Sequence, residues 1–592
     1  LDRNEIYTKF PLLQKQTHMK KAHVLITTFM VSCFLLPVLT GCKQESVEPG
    51  GNETGQELQN IPQLVREGNV TKLYADGQPF LMISGELHNS TCGGFEYMRP
   101  VWKRMAEKNL NSVIASVSWE LMEPEEGKFD FSLVDSILAG AREADLKLAL
   151  IWFASWKNGG SSYMPSWVKR DSDRFPRVKD ENGKALEILS TFSDANCEAD
   201  AKAFAALMKH IREVDAEQQT VIAVQIENEV GIIDHLGETP GNARRDFSEA
   251  ANLAYNGSVP GMLLDYLQQY DGKLHPELQK VWKANGSKTE GTWEEVFGKS
   301  VFRPEITDFN FFSFYTEELF TAWYYARFLE EVAAAGKKEY PLPMFVNAQL
   351  KQTYGYWPGR YFTGGPQPQL LDVWKAGAPS VDILAPDIYS NDFLTTCEEY
   401  TRNGNPLFIP ESRGGAVGVA RAFSAFGEYD AICFAPFGID GGSNENDPLP
   451  DAYRVLRNME EIILENQGKG TMRGIYIDTA SPVKELDMGE YNLVARLAGG
   501  ANPGVAGAII IKTGQDEYIV GGTSMNILIV PKNKADRWGL DIVDEGHFED
   551  GKWISTRRLN GDQTLHSTWA GSGFKLPVNK SAMLKVSFYP YE

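Results

Sequence analysis

From residue 64 onward, short apolar runs alternate with longer segments whose apolar residues recur every three or four positions. The first pattern suits strands and the second suits helices with one buried face. Eight runs read as core strands: 80–84, 112–119, 146–153, 221–229, 343–348, 381–388, 406–411 and 431–438. Most are continuously apolar, as strands covered on both faces of a parallel sheet must be. Helix-like stretches at 97–108, 132–144, 201–214, 314–334 and 366–376 lie between them. Such strand–helix alternation predicts an α/β fold. Eight units over about 370 residues predict a (β/α)8 TIM barrel carrying loop insertions. A doubly wound open sheet is the alternative, but no nucleotide fingerprint accompanies the strands.

The remaining segments divide the chain. Residues 232–310 form a long insertion after the fourth strand, a length that is usually functional. After a last helix at 452–466, short β-type runs at 507–512, 518–521, 526–530 and 583–589 are separated by Gly, Asn and Asp turns. That pattern predicts an all-β, sandwich-like accessory domain over 469–592, following a barrel over 61–468. Residues 43–60 are polar and almost free of apolar side chains, which reads as a flexible tether.

Upstream, Met19 is followed by Lys20 and Lys21, the apolar run 24–39, and Leu39-Thr40-Gly41-Cys42. A basic start and a short apolar core are the parts of a secretory signal. The ending resembles a bacterial lipobox with Cys42 as the lipidated residue, so 1–42 reads as an upstream extension plus a lipoprotein signal peptide. The expectation is an exported, membrane-anchored bacterial lipoprotein, in the periplasm or on the cell surface. A single membrane anchor is the alternative, although the run falls short of the roughly 20 residues needed to span a bilayer.

Charge narrows the partners. A formal charge of −21 leaves no basic surplus to neutralise phosphates, which argues against nucleic acid. Cys92, Cys197, Cys397 and Cys433 are scattered without C-x-x-C spacing, so neither a zinc site nor a disulfide framework is indicated. With no phosphate loop or H-E-x-x-H motif either, no metal and no cofactor are expected, and the chemistry falls to ordinary side chains.

In a barrel of this kind the site lies where the strands end, so the polar residues that terminate the runs are the candidates. The fourth strand ends Gln225-Ile226-Glu227-Asn228-Glu229 and the seventh ends Ile409-Pro410-Glu411. The sixth ends Asp387-Ile388-Tyr389, the second ends Trp119-Glu120, and the first leads to Glu86 and His88. Two carboxyl groups facing each other across a barrel mouth are what glycoside hydrolysis requires. Asn228 suits a donor to a sugar 2-hydroxyl, and Tyr389 suits a phenolic hydrogen bond to Glu411. Glu227 shares the strand parity of Glu229 but sits one step deeper, and is read as structural.

The Asn228-Glu229 pair and Glu411 are similar to the signature of retaining (β/α)8 glycosidases. Ser84-Gly85-Glu86-Leu87-His88, the run from Val117 to Phe131, and Gln225 to Glu229 resemble glycoside hydrolase family 35, the β-galactosidases. The C-terminal region resembles the accessory domain of a bacterial branch, some members of which trim galactose from plant polysaccharides such as xyloglucan. The resemblance implies Glu229 as acid/base and Glu411 as nucleophile. Three departures surround the expected sugar pocket: Ser155 stands for a sugar-binding Glu, Asn89 for an Arg, and Glu120 for an Asn. Sugar contacts are expected from Asn228, Tyr389, Glu86, His88, Glu120 and Ser155, with stacking from Trp119 and Trp156. The expected partner is an oligo- or polysaccharide bearing a terminal β-linked sugar, most simply galactose. Alternatives are another terminal sugar (β-glucoside, β-mannoside, α-L-arabinopyranoside), or a glycan-binding lipoprotein without activity.

Overall fold

The amphipathic segments of the sequence form helices that wrap a ring of eight parallel strands in the computed structural model. It describes residues 61–233, 244–300, 315–351, 357–441, 446–533, 537–559, 561–567 and 571–591. Cys42, the apolar run before it and the tether at 43–60 lie outside the described residues. The ring comprises β1 (Met82–Ile83), β2 (Ser112–Ser118), β3 (Lys147–Lys157), β4 (Val221–Asn228), β5 (Met344–Gln349), β6 (Ile383–Ile388), β7 (Phe408–Ser412) and β8 (Cys433–Pro436). Each strand is followed by a helix: α1 (Phe95–Glu107), α2 (Ser132–Glu143), α3 (Asp194–Asp215), α4 (Tyr315–Glu339), α5 (Leu371–Gly377), α6 (Phe393–Tyr400), α7 (Gly415–Glu428) and α8 (Leu449–Asn466).

Neighbouring strands follow chain order from β2 to β8, and β8 pairs with β1. Parallel bridges from Glu86 to Ile114 and from Glu86 to Phe437 close the ring beyond the short first strand. Every residue of β4, β5, β6, β7 and β8 is buried, which accounts for their unbroken apolar runs. The helices show the complementary period. In α1 the buried residues are Met98, Val101, Trp102 and Met105, one stripe at helical spacing.

Two features differ from the sequence-based expectation. The first run, expected as a barrel strand over 80–84, is divided. Gln78–Phe80 joins Gln63–Glu67 and Val70–Ala75 in a three-stranded antiparallel meander, and only Met82–Ile83 enters the barrel. The cause is local: Asp76 (φ 51°) and Gly77 (φ 72°) make a left-handed two-residue turn that reverses the chain just before the run. The long insertion, in its described part, is helical, with segments Glu249–Tyr255, Gly261–Gln269, Pro276–Ala284 and Trp293–Phe297.

The C-terminal strands form two antiparallel sheets. They are β9 (Met472–Asp478), β10 (Val483–Asp487), β11 (Tyr491–Leu497), β12 (Val505–Lys512), β13 (Glu517–Thr523), β14 (Met525–Pro531), β15 (Arg537–Glu549), β16 (Lys552–Arg558), β17 (Thr564–Ser567), β18 (Gly571–Lys575) and β19 (Ser581–Tyr591). One sheet runs β9-β12-β13-β19-β15-β16 and the other β10-β11-β14-β18-β17. Ala508 and Ile510 of β12 face the second sheet, whereas Ile509 and Ile511 join the core of the barrel and its helices. The larger sheet is therefore buried on both faces where β12 runs. This explains why Val505–Lys512 reads as a continuous apolar run in an antiparallel sheet.

Contact between this sheet and α7 depends on missing side chains. A Cβ at Gly507 would lie 2.4 Å from the Ala420 carbonyl oxygen, and one at Gly474 would lie 2.5 Å from the Glu428 nitrogen. Backbone cannot yield as a flexible side chain can, so Gly507→Val is expected to cost about 1–3 kcal/mol by overpacking. A lowered Tm in thermal unfolding of the variant is the check, and an unchanged Tm would contradict this packing.

Candidate active site

The mouth of the barrel collects carboxyl groups from β1, β4, β6 and β7. At the end of β4 the backbone turns left-handed at Glu227 (φ 59°) and Glu229 (φ 46°), conformations that non-glycine residues adopt only when neighbours impose them. Here the neighbours are visible. Asn158 N–H donates to the Asn228 carbonyl (3.1 Å), and Gly159 N–H donates to the Glu229 carbonyl (3.1 Å). Glu229 N–H donates to Asn347 Oδ1 on β5 (2.9 Å), and Asn158 Nδ2 donates to Glu229 Oε2 (2.7 Å). The extension of β3 thus fastens backbone and side chain of Glu229 together.

Glu411 ends β7 in register with Asp387 on β6. Its carboxylate accepts the Tyr389 hydroxyl at Oε2 (2.7 Å) and Asn228 Nδ2 at Oε1 (3.3 Å). Asp387 accepts from Asn347 Nδ2 (2.7 Å), so one Asn side chain links the Glu229 backbone to the Asp387 carboxyl. Carboxyl oxygens of Glu229, Asp387 and Glu411 all lie within 4.8 Å of one another.

Crowding of this kind sets protonation. Burial pushes the Glu229 carboxyl up to about 8, with the Glu411 charge as the second cause, while Lys157 and Asp387 oppose it. Asp387 is held well above the usual carboxylate range by burial, then by Glu411 and Glu229. One oxygen each of Glu229 and Asp387 lies within 4.8 Å of the other, a spacing at which two buried anions repel and a retained proton is favoured. Glu86 is also held well above that range by burial and then Glu411, and neither of its carboxyl oxygens has a hydrogen-bond partner. Burial raises Glu411 too, but Tyr389, Lys157 and Asn228 all favour its ionised form. One anion and several neutral acids is the arrangement these environments impose, and Glu411 is the group equipped to be the anion.

Other residues singled out in the sequence lie elsewhere. Trp119 is fully buried, donates from Nε1 to Glu123 (2.8 Å) and meets Trp167 edge-on. Trp156 is fully buried between Tyr325 and Phe328 and donates to the Leu189 carbonyl (3.2 Å). Neither ring is available for stacking on a sugar. Ser155 turns outward from the ring toward α3, donating its hydroxyl to Asp200. It therefore does not stand in for a sugar-binding carboxylate. Glu227 is enclosed beside it, accepting N–H groups of Ser155 (3.0 Å) and Trp156 (2.6 Å) and hydrogen-bonding Asp200. Glu120 pairs with Lys169 at the rim (2.7 Å). His88 is half-exposed at the mouth, with Nδ1 held by Asp440 (2.7 Å) and its ring edge against Phe437.

Asn158, Lys157, Asn347 and Asp387 were missed as site residues. Asn347 had a legible signal, because it interrupts the apolar run Met344-Phe345-Val346 just where the strand nears its end. Asp387 shares strand parity with Tyr389, the neighbour that was chosen. For Asn158 no periodicity helps, because β3 shifts register against β4 between Trp152 and Lys157.

Comparison with known proteins bears on this mouth. Residues 96–313 match the glycoside hydrolase family 42 model, described as "Beta-galactosidase". Residues 449–571 match a model described as a domain of unknown function (DUF5597). A beta-galactosidase of Xanthomonas manihotis is 29% identical over 217 residues, 33% of each chain. Beta-galactosidase-1-like protein 3 of Homo sapiens is 30% identical over 167 residues, 26% of this chain and 22% of that one. The chain thus spans a third or less of the length of these curated relatives. Among solved structures, the beta-galactosidase of Rahnella sp. R3 is 18% identical, covering 60% of this chain and 50% of that chain with a TM-score of 0.37. That of Bacillus circulans sp. alkalophilus is 14% identical, covering 65% and 57% with a TM-score of 0.41. Family 35, suggested by the sequence motifs, is not the model that matches; the description common to these matches is beta-galactosidase.

Proposed function

We propose that the protein is an exo-acting, retaining β-glycosidase that removes a terminal β-linked galactose from a larger glycan. One observation carries the reading: Glu229 and Glu411 lie at the ends of β4 and β7 with one carboxyl oxygen of each within 4.8 Å of the other. Retaining enzymes hold their two carboxyls about 5–5.5 Å apart, whereas inverting enzymes leave about 6.5–9.5 Å for a water. Glu229, protonated, delivers its proton to the departing glycosidic oxygen while ionised Glu411 attacks the anomeric carbon. The Glu411–sugar bond forms as the glycosidic bond breaks. Glu229, now an anion, takes a proton from the incoming water, which releases the sugar and restores both groups. The beta-galactosidase matches and the family 35-like motifs support galactose; the departures at Asn89 and Glu120 motivate the other terminal sugars as the second reading. Export as a lipoprotein through Cys42 belongs to the same proposal and rests on the pattern of residues 20–42.

Hydrolysis of p-nitrophenyl β-D-galactopyranoside, beside the β-glucoside, β-mannoside and α-L-arabinopyranoside, tests the reading directly. Glu411→Gln is expected to lower turnover by orders of magnitude with an intact fold. Glu229→Ala is expected to slow glycosides with poor leaving groups by about 10²–10⁴-fold. Measured as kcat/KM, which reports the first step alone, it should slow a dinitrophenyl glycoside far less, since that leaving group departs without a proton. Equal losses on both substrates would remove Glu229 from the acid role.

pH supplies two further checks. Activity should decline above about pH 8, as Glu229 loses the proton it must donate. Stability moves in the same direction. The folded pKa lies above the ordinary 4.5, so this site's contribution is whole below pH 4.5 and is lost as pH rises through about 8. Glu229→Gln should therefore raise Tm relative to wild type at pH 8 and above, by an amount worth roughly a few kcal/mol. The gap should close toward pH 4.5. A variant no more stable at pH 8 than at pH 4.5, relative to wild type, would contradict the raised pKa.

A further inference from the structure

A cavity of about 990 Å³ lies where the loops of the β-sheets meet the barrel rim, and nothing in the proposed chemistry uses it. Its barrel wall includes Gly414 and Ala416 at the start of α7 and Phe437 just beyond β8. The opposite wall comes from the C-terminal sheets, through Asn502, Ser524 and Lys580. The cavity adjoins the carboxyl cluster along the chain and in space. Gly414 follows Glu411 by three residues, Phe437 N–H donates to the Ser412 carbonyl (3.1 Å), and Gly438 N–H donates to that of Glu86 (2.8 Å). Phe437 also touches the half-exposed His88 at the mouth.

A hydrogen bond joins the walls, from Ser581 N–H to Asp451 on α8 (2.7 Å). The sheet wall is itself braced, with Asn502 N–H donating to Asn579 Oδ1 (2.9 Å) and Asn579 N–H to Ser524 Oγ (2.8 Å). Among the described lining residues Lys108 pairs with Asp447 (2.9 Å) and Asp451 pairs with Arg454 beside the cavity (2.8 Å). Asparagine, serine and threonine side chains with the Phe437 ring, among the described lining residues, suit a polyhydroxylated ligand. Its volume lies at the upper end of small-ligand sites, with room for more than one sugar ring.

We propose that this cavity binds the leaving part of the substrate, so that the substrate is an oligosaccharide reaching from the carboxyl pair onto the β-sheets. The inference rests on the glycosidase reading above and deepens it, giving the C-terminal sheets a share in substrate recognition. Energy from such remote contacts raises kcat/KM for long substrates and leaves short ones unaided.

The test compares p-nitrophenyl β-D-galactopyranoside with galactosylated xyloglucan oligosaccharides, using the full chain. Ala416→Trp and Lys580→Trp fill the cavity from opposite walls, and retention of Tm confirms that each variant folds. Each is expected to lower kcat/KM on the oligosaccharide at least ~10-fold more than on the aryl galactoside. Calorimetric binding of the same oligosaccharide to Glu411→Gln should weaken by a similar factor when either Trp is added. Equal effects on both substrates, no effect on either, or no binding of the oligosaccharide would overturn the inference. Absence of hydrolysis of every glycoside, with binding still blocked by the Trp variants, would instead overturn the catalytic reading and leave the cavity as a glycan site.

Discussion

Four carboxyl groups, Glu86, Glu229, Asp387 and Glu411, are buried around the barrel mouth, and the rest of the site follows from the cost of ionising more than one of them. Burial alone raises every one, and each anion formed raises its neighbours further. The choice of anion then falls to hydrogen-bond donors. Glu411 receives two, from Tyr389 and Asn228, whereas the oxygens of Glu86 receive none. Lys157 is the cation that lowers Glu411, Glu229 and Glu86 alike. The protein thus separates an ionised carboxylate from protonated ones without giving either an unusual side chain.

Such an arrangement is costly to hold, and the structure shows what holds it. Glu229 occupies a left-handed backbone conformation held by three hydrogen bonds: it accepts from Asn158 Nδ2 and Gly159 N–H, and its own N–H donates to Asn347. Behind it, Glu227 is enclosed by the turn at the end of β3 and by Asp200 of α3. Two carboxyl pairs therefore lie in sequence along β4. The outer one faces the mouth and the inner one ties β3, β4 and α3 together. Strand order makes this possible, since Asn347 can reach both Glu229 and Asp387 only because β5 lies between β4 and β6.

The barrel was legible in the sequence because burial on both faces erases the polar alternation that other sheets keep, and all eight predicted runs overlap a barrel strand. Chain reversal at Asp76-Gly77 was missed because the apolar character of 78–84 continues straight through the change from meander to barrel. Within the site, the residues legible from sequence were those at strand ends, where position implies direction. Trp119, Trp156 and Ser155 misled for a related reason: residue type suggested sugar contact, while Trp156 and Ser155 on β3, and Trp119 in the helical turn just after β2, pack away from the mouth. Asn158 and Lys157 act beyond a register shift, and no period of the sequence announces one.

The helix α7 joins the two parts of the molecule at the point that matters most to the carboxyl pair. Its buried Arg421 donates to the carbonyls of Ile388 (2.7 Å) and Ser390, on either side of Tyr389. Tyr476 of β9 is near enough to the same guanidinium to favour its charged form, and Gly507 of β12 lies against the backbone of the same helix at Ala420. A continuous run of contacts therefore leads from the larger C-terminal sheet through Arg421 to the residue whose phenol steadies Glu411. Because β12 is buried on both faces, the sheet cannot leave α7 without exposing Ile509 and Ile511 to water. The hydrophobic contact that holds the C-terminal sheets in place is thus also what keeps Arg421, and through it Tyr389, in position beside Glu411.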